Sequence, residues 1–200
     1  MNIAFLGWGS LVWDPRNLRT GGTWRNDGPE LPIEFARVSK DGRLTLVICS
    51  GARKVKTLWT PADCSTLDEA VRNLACREDT VSENIGFISV PDRRKKGRLK
   101  DSVLRIEAWA KEKGLDAVVW TDLKPKFKEI CKTELTSENA IAYLRKLDDN
   151  SRKKAEMYVR NTPQQINTKI RESLEKELGW TCTDDNARIQ RWSDIRERAR

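Results

Sequence analysis

Apolar runs of strand length fill the chain as far as Trp120, and stripes at helical spacing take over from Ser137. Strands gathered in one part and helices in another argue an α+β domain rather than alternating β–α units. Residues 2–13 form an apolar run broken by two glycines, which reads as a buried strand entering a tight turn. Residues 14–32, rich in Gly, Pro, Asn and Arg, read as a long loop. Residues 33–39 and 43–49 flank Lys40-Asp41-Gly42, and Asp-Gly between alternating runs signals a hairpin. Residues 55–60 and 84–90 are further strand patterns, and 103–110 and 117–120 read as two more around Lys113-Gly114. Several antiparallel strands of even length make a small barrel the natural closure.

Within 65–77, Leu67, Ala70, Val71 and Leu74 fall on one helical face, with Ser65 or Thr66 placed to cap. Later, Ala140, Ile141, Leu144 and Leu147 form one stripe, and Ala155, Tyr158 and Val159 form another before Asn161-Thr162-Pro163. Ile166, Ile170 and Leu174 continue a third helix that ends near Gly179. No linker precedes these helices. Residues 1–180 are therefore expected to form one domain that includes them, and 181–200 a polar basic tail. A chain of 200 residues can bury a core without staples.

The sequence contains no histidine, which removes Ser-His-Asp triads, Cys-His pairs and His-ligated metals together. Proton transfer near neutral pH must come from a carboxylate, Lys, Cys or Tyr. The cysteines number five and none has C-x-x-C spacing, so neither a disulfide framework nor a zinc knuckle is expected. No stretch approaches the roughly 18 apolar residues that span a bilayer. MNIAFLGWGSLVWDP has no basic leader, so a cytoplasmic protein without a membrane partner is expected. The net charge of +8 gathers at Arg93-Arg94-Lys95-Lys96-Gly97-Arg98-Leu99-Lys100 and after Arg188. Such runs bind phosphate backbones. No aromatic residue interleaves this one, which favours a solvated loop over a nucleic-acid surface.

Gly7-Trp8-Gly9-Ser10-Leu11 is the first place where chemistry can sit. Two glycines at a strand end let the backbone turn sharply and approach a ligand, and successive N–H groups there form an anion-binding concavity. IAFLGWGSLVW resembles the signature turn of the γ-glutamyl cyclotransferase superfamily, where a strand leads into Tyr-Gly-Ser followed by Leu or Asn. LPIEFARVSKDGRLTLVI, LACREDT, IGFISV, AVVWTDL and AEMYVRNTPQQINTKIRESLEKELGW are similar to a bacterial branch of that superfamily. The resemblance covers about nine tenths of the chain. It implies a small mixed barrel with helices packed around it, and no cofactor. It also implies that the turn's amides hold the α-carboxylate of a small-molecule substrate. One glutamate, usually followed by glycine, then works as acid and base while the glutamyl part closes to 5-oxoproline and frees its γ-linked amine. Such a ring closure draws on intramolecular effective molarity and suits a chain without histidine.

On that resemblance the glutamate is Glu78, in Arg77-Glu78-Asp79; Glu69 is the other candidate and reads as a solvated helix residue. Asp79, where glycine is usual, and Trp8, where tyrosine is usual, depart from the pattern. Arg37 either points inward to pair with a substrate carboxylate or lies on the outer strand face. Tyr158 and Arg160 read as helix packing and surface charge, and the eight tryptophans mostly as core. Two rivals stand beside an enzyme: a small-molecule-binding or regulatory domain of the same fold, which Trp8 and Asp79 favour, and a nucleic-acid-associated protein.

Overall fold

The structure, a computed structural model, describes residues 1–183, so most of the expected basic tail lies outside the described residues. Two sheets and seven α-helices make up the described part, a mixed α+β architecture. The larger sheet runs β5 (Leu58–Pro61), β1 (Ile3–Gly7), β8 (Ala117–Thr121), β6 (Ile85–Ser89), β7 (Lys95–Lys96). In it β1 and β8 are parallel and every other pairing is antiparallel. The smaller sheet runs β3 (Leu44–Ile48), β2 (Glu30–Val38), β4 (Lys54–Lys56). The strands expected to close one barrel thus pair as two sheets, neither closed on itself.

Strand β1 is buried on both faces, which is why its run is apolar at every position. Ala4 and Leu6 face a core shared with the smaller sheet. Ile3 and Phe5 face a second core beneath helix α2 (Leu67–Arg77), and Val119 of β8 joins that second side. Thr66 caps α2 by accepting from the Glu69 amide at 3.2 Å, and Glu69 accepts from the Ser65 amide at 2.8 Å. Thr66 is thus the N-cap, and Glu69 reaches back to the residue before it.

The segment 55–60, read as one strand, divides between β4 and β5, which lie in different sheets. Thr57 marks the break, pinned to the preceding loop by Thr57 N to Pro29 O and Gly28 N to Thr57 O. The strand expected over 103–110 is instead part of helix α3 (Lys100–Glu112). Val103, Ile106, Trp109 and Ala110 are buried at helical spacing while Leu104 is exposed. The 3.6-residue period overrides an apparent alternation.

Short helices α1 (Ser10–Trp13) and α4 (Phe127–Cys131) precede α5 (Ser137–Arg145), α6 (Asp149–Asn161) and α7 (Lys169–Leu178), which follow the expected stripes except that Leu147 lies just beyond α5 and Ile166 just before α7. Gly179 ends α7 with a left-handed φ of 67°. Helix α7 is tied to β2 by a carboxylate that is only 6% exposed: Glu34 accepts from the Thr168 hydroxyl at 2.5 Å and from the Ile170 amide at 3.4 Å. Burial pushes the Glu34 carboxyl above its ordinary range, against the Thr168 bond. A negative group suits the N-terminal end of this helix. No described helix is long and apolar enough to cross a membrane.

Candidate functional site

Beyond the C-terminal ends of the parallel strands β1 and β8 lies a cavity of about 400 Å³. Gly7, Trp8, Gly9, Ser10 and Leu11 carry β1 over its floor into the single turn of α1. The first amides of a helix have no intrahelical acceptor, so Gly9–Leu11 supplies backbone donors at this edge. The β2–β3 hairpin forms the opposite wall and the C-terminal end of α2 the third. The five residues of the turn, with Arg37 and Glu78, all line this one cavity.

Trp8 is a structural member of the group. It is 5% exposed and its indole N–H donates to Leu46 O at 3.2 Å. Strand β3 is an edge, and Leu46 presents its outward amide to the Tyr158 hydroxyl at 3.4 Å. Two side chains thus close an otherwise open stretch of sheet edge. Tyr158 packs edge-on against Trp13 and Phe35, as its helical stripe suggested, and also lines the cavity. Burial pushes its hydroxyl up to about 12, so it is a neutral donor at physiological pH. Arg160, by contrast, pairs with Glu156 and the end of α7.

Arg37 reaches the cavity because β2 carries a bulge between Phe35 and Arg37. One of its nitrogens donates to Lys124 O at 3.0 Å. No carboxylate lies within 4.0 Å of it among the described residues, and partial burial lowers its pKa. Arg16, Arg37, Lys40, Arg43 and Arg77 face Asp41, Glu78 and Asp79 around the space, an excess of positive charge that suits an anionic ligand.

Glu78 caps the C-terminus of α2, its side chain 17% exposed. Arg77 beside it is only 1% exposed, and no local pattern marked it as a cavity residue. Its Nη1 donates to Glu78 Oε1 at 2.7 Å, and its Nη2 to Ser10 Oγ at 3.3 Å and Asp14 O at 2.5 Å. Glu69 lies outside the cavity, where the Ser65 amide, and after it Arg19, hold its carboxyl below the usual range.

After Glu78 the chain closes α2 with two bonds, Thr80 N to Ala75 O at 3.0 Å and Asp79 N to Cys76 O at 3.2 Å. This is a Schellman ending, whose residue after the cap takes a left-handed conformation that glycine favours. Asp79 adopts it with φ 48°, so aspartate keeps the backbone turn beside Glu78. Its pair with Lys40 is exposed on both sides and contributes little. Asp79→Gly is accordingly expected to stabilise the chain by about 0.5–1 kcal/mol, a rise of about 1–4 °C in a thermal melt. An unchanged or lower melting temperature would contradict a strained residue 79.

The basic run is largely engaged within the molecule. Lys95 pairs with Glu107, Arg94 with Asp92, and Arg98 with the buried Asp122, while Lys96 donates to Ser82 O. Burial raises the Asp122 carboxyl, and Arg98 opposes that shift. Among the described residues no cluster of three metal-ligating side chains occurs. No family model, curated protein or solved structure matches the chain.

Proposed function

We propose that the chain is a γ-glutamyl cyclotransferase-type enzyme that releases an amine from a γ-glutamyl amide and leaves 5-oxoproline. The single observation that carries this reading is the presence of Glu78, Ser10 and the glycine turn on one cavity whose lining is cationic in excess. The turn amides and the surrounding cations hold the substrate's α-carboxylate. Glu78 takes a proton from the substrate's own ammonium, whose nitrogen then attacks the γ-carbonyl. The ring C–N bond forms, the ring nitrogen gives up a second proton, and the amide C–N bond breaks; both protons pass by way of Glu78 to the departing nitrogen, which leaves as an ammonium. One carboxylate completes the cycle without net proton change, and the nucleophile is already tethered. The neutral Tyr158 hydroxyl is a donor within reach of the same space. The barrel implied by the resemblance belongs to the same proposal. Its support is that Leu6 of β1 shares a core with Phe35 and Leu46 of the smaller sheet.

The test is 5-oxoproline release from a panel of γ-glutamyl amines and γ-glutamyl peptides. Turnover of at least one supports the reading, and a folded protein silent on all of them overturns it. A binding domain on the same cavity is the second reading, favoured by the engagement of Glu78 Oε1 with Arg77. It predicts calorimetric binding of panel members without turnover.

Gly9→Val tests the location of the site. A Cβ at Gly9 would run into the hydroxyl of Tyr158, whose buried ring is packed between Trp13 and Phe35. The turn must therefore shift, and binding of 5-oxoproline is expected to disappear from the folded variant. Equal affinity in Gly9→Val and wild type would place the site elsewhere.

A further inference from the structure

We propose that Arg77 is a positioning residue, whose buried guanidinium fixes the Glu78 carboxylate and the Ser10 turn at one separation. The inference rests on the cyclotransferase reading and adds to it the group that sets the geometry between proton carrier and substrate anchor. Glu78 and Ser10 come from segments far apart in sequence, and Arg77 touches both. Its third contact, to Asp14 O, holds the far end of α1, so the whole turn of the anion site is braced from one side chain.

A comparison within the molecule separates this role from ordinary structural burial. Arg171 is equally buried at 1%, and donates to the backbone oxygens of Thr162, Pro163 and Ile166 and to Glu175. That pattern closes a loop onto a helix. Arg77 instead directs its two terminal nitrogens to two side chains that line the cavity, and its Nε is buried without a partner. A donor left unsatisfied in the interior costs stability. The fold accepts that cost at the one arginine joining Glu78 to Ser10.

Arginine suits the task and lysine does not. A planar guanidinium offers two terminal nitrogens in fixed relation, one for each partner, whereas an ammonium is a single point of charge. With Oε1 held by Arg77, Oε2 is the oxygen left to exchange a proton with the substrate. A carboxylate displaced by about 1 Å can lose about 10²-fold in rate.

The experiment uses the full chain and the best substrate of the γ-glutamyl panel, with melting temperatures recorded for every variant. Arg77→Lys is expected to lower kcat by about 10²-fold while KM changes little. In the Glu78→Gln background the same change is expected to cost nothing further, because the group it positions has gone. Lysine at a buried arginine risks the fold, so Glu78→Asp is the second variant. It keeps the charge and withdraws the carboxylate by one methylene from where Arg77 holds it. It should lose kcat comparably, with a melt closer to wild type than that of Glu78→Gln because the charge opposite Arg77 is kept.

Multiplying losses in Arg77→Lys with Glu78→Gln, or a lower melting temperature with unchanged kcat in Arg77→Lys, would make Arg77 structural only. Full kcat in Glu78→Asp would also overturn the inference. In both cases wild type still turns over, so the inference fails alone. A wild type that releases no 5-oxoproline removes the reading and the inference together.

Discussion

Glu78→Gln is expected to lower the rate of 5-oxoproline release by at least about 10²-fold, the low end for losing a positioned acid–base group. Glutamine keeps the size of the side chain and can still accept from Arg77, so substrate binding should survive. The sequence holds no histidine to take over the proton. The substitution also has a stability effect. Arg77 is almost fully buried and Glu78 is its ion-pair partner, so a neutral amide leaves an interior cation unpaired. A loss of about 1–3 kcal/mol is expected, visible as a lower melting temperature. Rates must therefore be compared well below that melt. Glu69→Gln should show the opposite pattern, with unchanged turnover and a weakened start to α2, because Glu69 accepts from the Ser65 amide outside the cavity. Full activity in Glu78→Gln together with a loss in Glu69→Gln would reverse the assignment.

Local signals served the fold where the physics was local. Asp41-Gly42 gave the turn between β2 and β3, Thr66 the start of α2, and Gly179 the end of α7. They failed where two periods overlapped. Val103-Leu104-Arg105-Ile106-Glu107 fits an alternating strand as well as a helix, and only the packing of Val103, Ile106 and Ala110 decides between them. The pairing of strands into two sheets was likewise beyond local pattern, since β1 pairs with β8 across more than a hundred residues. The glycine turn and Glu78, singled out in the sequence on a resemblance, do line one cavity. Arg77 was not marked by any local pattern: a cation at a helix end looks solvated until the turn from β1 covers it. Glu34 was hidden in the same way, because the helix that buries it lies far along the chain. Tyr158 was half legible, its packing readable from a stripe but its hydroxyl beside Gly9 visible only in three dimensions.

Deleting residues 137–200 is expected to abolish cooperative folding, not to release a smaller domain. Ile141, Leu144, Tyr158, Val159, Ile166, Ile170, Leu174 and Trp180 are buried in the same core as Leu6, Phe35 and Leu46. Each large side chain contributes roughly 1.5–3 kcal/mol by burial. Together they contribute on the order of 10 kcal/mol even after a discount of about 10–40% for compactness of the unfolded chain. A domain's whole stability is about 5–15 kcal/mol. The remaining sheet would also lose polar closure. Glu34 would lose the Thr168 hydroxyl, and Leu46 the Tyr158 hydroxyl that meets its edge amide. The cavity would lose the wall that Tyr158 supplies, so ligand binding should vanish with the fold. Circular dichroism melts and 5-oxoproline calorimetry on the shortened chain provide the check. A cooperative melt at the wild-type temperature would mean that the helices pack as a separate unit and that the strands carry their own core.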